Sequence, residues 1–392
     1  MNLNSITKES KGIVIVGSGF AAYQLVRMIR KQNQELPVMV ITADSGDDYS
    51  KPDLSHVFSK RQKATDLVKQ TAVRFVEEQN IEILTNTRVE QILTEDKCLV
   101  TQTRTIGYDK LVLATGASPF KLTIQGDGVD DMITLNSLAD YDNCHEQLSK
   151  AGKMLVVGAG LVGTEIAMDL LSSDRKVILN DRADRLIPGL LPEFVANQLY
   201  RSLAAKGCEL ALGTELVRVN RMEQGYEVLL ANGQSCRVDA VISAAGLVPH
   251  KQLAEQAGLA TGRGIVVNKQ LQTSDANIYA LGDAVEIEGQ VLPFLQPIML
   301  SACALASTLV GKETTVHMPA MLIKVKTPAY PIQLAGRTVG HDLSWKVDVS
   351  DRGMLVQAFD ENQKLAGFIT TEQRMAEGFP LLRQLPAVIQ GV

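Results

Sequence analysis

The chain has no C-x-x-C pair and no cysteine or histidine spacing suited to a metal. Its five cysteines, Cys98, Cys144, Cys208, Cys236 and Cys303, are scattered through 392 residues. Thiols so placed read as small buried hydrophobes, neither a dithiol relay nor a zinc site. Long apolar runs are missing too, none reaching the ~18 residues that a membrane span requires. The N-terminus, with Lys8, Glu9 and Lys11 ahead of a short strand, lacks a signal peptide's pattern, so the expected location is cytoplasmic. Positive charge is not in excess either: a net charge of -5 and a pI near 5.7 argue against general nucleic-acid binding. The remaining composition, 45% hydrophobic and 21% charged, is that of an ordinary folded protein, long enough for two or three domains.

Against these absences stands a duplication. Gly17-Ser18-Gly19-Phe20-Ala21-Ala22 follows the apolar run Ile13 to Val16, and Gly158-Ala159-Gly160-Leu161-Val162-Gly163 follows Met154 to Val157. Each reads as strand, tight glycine turn, helix. The first glycine turns the chain, the second lets backbone N–H groups approach a pyrophosphate, and the third position must be small so that helix packs on strand. The helix N-terminus adds partial positive charge for the phosphates. Two such turns a domain apart imply two dinucleotides in one protein, and the usual purpose is electron transfer between them.

The first unit continues with a helix from about Ala21 to Lys31 and a strand over 38–42, after which Thr42, Ala43 or Asp44 would meet the nucleotide. Residues 62–79 read as helix, and 81–84 and 88–92 as strands, with Val89 either at an adenine ring or simply a sheet valine. A buried strand over 108–116 closes the unit. In the second, a helix over 164–172 leads to a strand over 176–180 and then Asp181, an acid placed to bind both ribose hydroxyls and repel a 2'-phosphate; this favours NADH, although Arg182 weakens the inference. The strand and small turn at 239–246 suggest a return to the first unit. The turn Ala280-Leu281-Gly282-Asp283 then offers a carboxylate to sugar or ribityl hydroxyls. From about Met321, strands over 322–325, 354–359 and 364–369 and a final helix read as a small third domain.

Ile41-Thr42-Ala43-Asp44, Tyr49-Ser50-Lys51-Pro52, the 280–283 turn and Val325-Lys326-Thr327-Pro328 give the chain, end to end, the look of an FAD-dependent pyridine-nucleotide oxidoreductase with two dinucleotide sites. More narrowly it resembles bacterial rubredoxin-NAD reductases and flavorubredoxin reductases. The resemblance implies an α/β fold: two Rossmann-like dinucleotide-binding domains with a small α+β C-terminal domain. The implied division is 1–117 and 244–318 for FAD, 118–243 for NAD and 319–392 for the last domain. It places FAD on Gly17, Ser18, Gly19, Phe20, Ala21, Thr42, Ala43, Lys51, Val89, Glu165, Asp283, Leu295 and Lys326, and NADH on Gly158, Gly160, Gly163 and Asp181. Lys51 would lie by the isoalloxazine ring and pair with Glu165, and Lys51 and Lys326 would stabilise the reduced flavin.

Histidine is assigned no catalytic role, because there is no thiol pair for it to serve. The implied acceptor is rubredoxin, reached by transient docking for which Lys60-Arg61-Gln62-Lys63 is the candidate basic patch, and the process served would be alkane hydroxylation, for example. Alternatives are a flavorubredoxin reductase in nitric oxide detoxification, a ferredoxin reductase, an NADH oxidase, disfavoured for want of a redox cysteine in 49–56, and an NADH-sensing flavoprotein without turnover.

Overall fold

The computed structural model describes residues 12–390; Lys8, Glu9 and Lys11 lie outside them. Three sheets organise the chain. In the first, five parallel strands run in the spatial order Ile278–Ala280, Lys110–Leu113, Ile13–Val16, Val38–Ile41, Glu82–Leu84. Their near-continuous apolar runs are what a parallel sheet covered on both faces demands, and Val14, Ile15, Val40, Leu111 and Val112 are fully buried. Ile278–Ala280 extends this sheet after the chain has left it for more than a domain's length. The second parallel sheet runs Glu209–Leu212, Lys176–Asp181, Lys153–Val157, Ala240–Ser243. The third is antiparallel, in the order Ile323–Val325, Ile332–Gly336, Leu365–Thr371, Gly353–Phe359, Ser344–Ser350.

Each glycine turn delivers its chain from a strand end into a helix, Phe20–Gln32 in the first unit and Leu161–Leu171 in the second. Gly17 and Gly158 sit at φ +116° and +106°, and a Cβ on either would overlap the backbone carbonyl of Ala114 or Ala244, just past the end of the adjoining strand. The helix Leu295–Leu309 packs along Phe20–Gln32 and runs parallel to it: Ser307 Oγ donates to Gln32 Oε1 at 3.3 Å near their C-terminal ends, and Phe20 and Leu295 border the same cleft at their N-terminal ends.

Three expectations are corrected. Residues 62–79 are not one helix: Ala64–Leu67 and Ala72–Gln79 are separated by the strand Val68–Gln70, which pairs with Asp48–Tyr49. That pairing outweighs local helix propensity, and Thr71 restarts the helix by accepting from the N–H of Arg74 at 3.4 Å. The C-terminal region has two further strands, Ile332–Gly336 and Ser344–Ser350. The cysteines divide: Cys98, Cys144 and Cys208 are buried, but Cys236 is half-buried and Cys303 exposed.

Candidate functional site

One cleft of about 1810 Å³ lies between the units. A single small-molecule site usually occupies roughly 300–1,000 Å³, so there is space for two dinucleotides. The cleft is walled by both glycine turns (Ser18 to Ala21; Gly158, Gly160), by Lys51 and Asp283, by Glu165 and Asp181, and by Leu295 and Lys326. Gly17 and Gly163 stand behind their turns, where a Cβ on Gly163 would overlap the Gly158 carbonyl. Thr42 is buried behind the first turn, its hydroxyl 2.8 Å from that of Ser18, and its Oγ1 accepts from the N–H of Asp44. Thr42, Ala43 and Val89 are not among the residues that wall the cleft; Val89 lies in a hairpin strand opposite Thr101.

Three features fit this cleft to phosphate-bearing ligands. The helices beginning at Phe20, Leu161 and Leu295 have no side-chain cap, so their first-turn N–H groups are left for a ligand or water. Gly19 and Gly160, the middle glycines of the turns, have open space where a Cβ would stand, with no protein atom within 4 Å. Asn136, also on the cleft wall, donates from Nδ2 to the Ala117 carbonyl at 3.1 Å while its buried Oδ1 has no partner, an acceptor suited to a hydroxyl or amide of the ligand and not to its phosphate.

Charge is concentrated in the middle. Burial lowers the pKa of Lys51, opposed by the carboxylates of Asp283 and Asp140; burial raises that of Asp283, opposed by Lys51. Each charge thus offsets part of the cost of burying the other. Lys51 opens a short 3₁₀ helix, Lys51–His56, whose proline at the second position fixes the entry of the chain.

Glu165 does not pair with Lys51, contrary to expectation. It is 6% exposed on the second unit's helix and accepts from Ser55 Oγ at 3.1 Å and from the Lys326 N–H at 3.0 Å. His56 Nε2 lies 3.6 Å from Oε2, the same oxygen that Ser55 bonds. Burial pushes its pKa up, but His56, the Lys326 N–H and the nearby positive charges outweigh burial and hold it below the usual carboxylate range. Glu165 thus ties the 3₁₀ helix, the second unit and the strand end before Lys326 together. Lys51 is five residues too early on its helix to reach it; His56, at the far end, takes the place.

Asp181 ends its strand as expected, yet both oxygens already serve the backbone. Oδ2 accepts from the Ala159 N–H at 2.5 Å and Oδ1 from the Ala183 N–H at 2.8 Å. It braces the second glycine turn as well as bordering the cleft. Sequence reasoning missed Asn136 and the 243–247 strand end on the cleft wall, and His56 behind it against Glu165. The only available signal for His56 was its position in the segment of Lys51.

Comparison with known proteins agrees with this geometry. Residues 11–306 match the family described as pyridine nucleotide-disulphide oxidoreductase, and residues 315–385 the rubredoxin binding C-terminal domain. The nitric oxide reductase FlRd-NAD(+) reductase of Aliivibrio fischeri is 47% identical over 373 residues, covering 95% of this chain and 98% of that protein. The protein of the same name from Escherichia coli is 46% identical over 377 residues, covering 96% and 100%. Among solved structures, NADH:rubredoxin oxidoreductase from Clostridium acetobutylicum superposes with a TM-score of 0.78 at 18% identity, covering 96% of this chain and 95% of that one. A covalent putidaredoxin reductase–putidaredoxin complex gives 0.87 at 24%, covering 96% and 94%. At those identities the likeness shows the fold alone.

Proposed function

The chain belongs to the pyridine nucleotide-disulphide oxidoreductase family, and from that membership we propose that it carries electrons from NADH, through bound FAD, to rubredoxin. FAD, when bound, supplies an acceptor for hydride and a donor of single electrons. The chain's own residues bind and orient. The turn Gly17 to Ala21 and the helix behind it would hold the FAD phosphates, with Thr42 and Ala43 beyond and Val89 at the far end of the nucleotide. Asp283 would accept from ribityl hydroxyls, and Leu295 opens a helix whose free N–H groups would face the ring system. Gly158, Gly160, Gly163 and Asp181 would hold NADH. Lys51, Glu165 and Lys326 supply fixed charge in the cleft, where low solvation makes each charge count for more than in water.

In this division, 1–117 and 244–318 serve FAD, 118–243 serves NAD and 319–392 faces the acceptor. No helix among the described residues is long and apolar enough to cross a membrane, and a cytoplasmic location accords with a soluble acceptor.

The observation that carries the reading is the convergence of three uncapped helix N-termini and two open glycine positions on one cleft. The near-half identity to proteins named nitric oxide reductase FlRd-NAD(+) reductase favours a second reading of the acceptor, in which the rubredoxin centre belongs to a flavorubredoxin. Steady-state assays with NADH and either free rubredoxin or a flavorubredoxin decide between them by kcat/KM. Loss of turnover with both, in protein that retains its yellow cofactor, would refute the acceptor class.

A further inference from the structure

The strand Ser344–Ser350 is the outer edge of the C-terminal sheet, and all seven of its residues are exposed. It pairs with Gly353–Phe359 without a register shift and contains no proline, so it lacks two devices that usually keep an edge from recruiting another strand. Its sequence, Ser-Trp-Lys-Val-Asp-Val-Ser, complements itself when read antiparallel about Val347. Ser344 then faces Ser350, Trp345 faces Val349, and Lys346 faces Asp348.

We propose that this edge pairs with the same strand of a second copy of the chain, antiparallel, about a two-fold axis at Val347. The backbone fits. The hairpin turn Asp351-Arg352 has two residues, so its flanking pair, Ser350 and Gly353, exchanges hydrogen bonds. By alternation the N–H and C=O groups of Trp345, Val347 and Val349 point outward. Val347 therefore meets its symmetry mate as a hydrogen-bonded pair, flanked by Trp345–Val349 pairs. Lys346 and Asp348 form the non-hydrogen-bonded pairs, whose side chains come closer together.

Charge selects this register. A slip of two residues in either direction, the smallest that keeps the outward backbone groups paired, sets Lys346 against Lys346 or Asp348 against Asp348, and like charges directly opposite are destabilising. Asp348 Oδ2 accepts from Arg374 at 2.8 Å, which leaves Oδ1 for the second copy's lysine. On the other face Trp345, Val347 and Val349 remain 37%, 41% and 66% exposed, an unusual run of apolar side chains for a solvated edge. Trp345 is already held in place: its ring packs edge-on to Phe194 and its Nε1–H donates to the Thr338 carbonyl at 3.3 Å. The contact is isologous, so it closes as a dimer and does not propagate.

Sedimentation velocity of the FAD-loaded full chain over a wide concentration range tests this. The expected result is a reversible approach to twice 42.6 kDa, with slowed amide exchange at Trp345, Val347 and Val349. Lys346→Asp gives one chain acid at both charged positions, and Asp348→Lys gives another base at both. Each alone should associate at least about tenfold more weakly, by turning two attractive pairs into repulsive ones. Mixed together they should recover the dimer, which also shows that both are folded; Arg374 keeps Glu377 at 2.7 Å in the Asp348 variant. A wild-type chain that stays at single-chain mass at every concentration overturns the proposal, as does a dimer indifferent to both substitutions. Exchange protection of 344–350 that arises only on adding rubredoxin would assign the edge to that partner and overturn it equally.

Discussion

Gly160→Ala separates NADH binding from folding cleanly. Gly160 lies at φ −71°, ψ −169°, extended backbone that alanine adopts freely, and its new methyl would touch no protein atom within 4 Å. The fold should therefore be unharmed, and slightly stabilised through the unfolded chain by about 0.4–1 kcal/mol. The methyl does, however, occupy the space through which a phosphate must approach the first-turn N–H groups. Losing one charge-assisted hydrogen bond costs about 1.5–3 kcal/mol, which corresponds to roughly 10- to 150-fold weaker NADH binding. The assay is anaerobic flavin bleaching at increasing NADH concentration, with thermal denaturation alongside. Gly163→Ala is the contrast: its methyl would overlap the Gly158 carbonyl, so that variant should lose stability before it loses affinity. Gly19→Ala, in equally open space, should instead weaken retention of FAD. A Gly160→Ala protein with unaltered NADH dependence would refute the assignment of the second turn.

Glu165→Gln should cost about 1–2 kcal/mol at neutral pH, since it weakens the tie to Ser55 and the Lys326 N–H. The folded carboxylate's pKa lies below its unfolded value of about 4.3, so the charge stabilises above that pH and its contribution is lost as pH falls through the folded value. Urea midpoints of wild type and variant should accordingly converge in acid, and a constant gap would contradict this. Lys60→Glu with Lys63→Glu, at exposed positions, should raise KM for rubredoxin in a salt-dependent way and leave flavin reduction by NADH unchanged; acceptor kinetics blind to ionic strength would dismiss the patch. Burial pushes the thiols of Cys144 and Cys208 up to about 12, so iodoacetamide should label Cys303 first and these two only on unfolding, as peptide mass mapping will report.

Much of the scaffold was legible because its signals are local. A parallel strand buried on both faces has to be a short apolar run, and a turn that presents backbone to phosphate has to be glycine at fixed offsets; both show in 13–22 and 154–163. The 62–79 segment misled because Val68–Gln70 becomes a strand only by pairing with Asp48–Tyr49, some twenty residues earlier in the chain. Ser344–Ser350 carries the period-2 alternation of a strand, a local signal that the reading overlooked, although neither of its faces is buried. Within the site, residue types were readable but partnerships were not. Lys51 and Glu165 looked complementary, yet the 3₁₀ geometry of Lys51–His56 sets His56 against the carboxylate and leaves Lys51 to Asp283. Asp181 was read for its nucleotide role alone, because bonds to the N–H groups of Ala159 and Ala183 depend on the folded turn.

The central claim is the passage of electrons from NADH to a rubredoxin centre, and double-mixing stopped-flow spectroscopy tests it most directly. The FAD-loaded chain is first reduced with NADH, then mixed with oxidised rubredoxin while the iron–thiolate absorption is followed. Rapid bleaching, far quicker than with a ferredoxin at equal concentration, is the expected result. Fast flavin reduction followed by bleaching no faster than that of ferredoxin would contradict it.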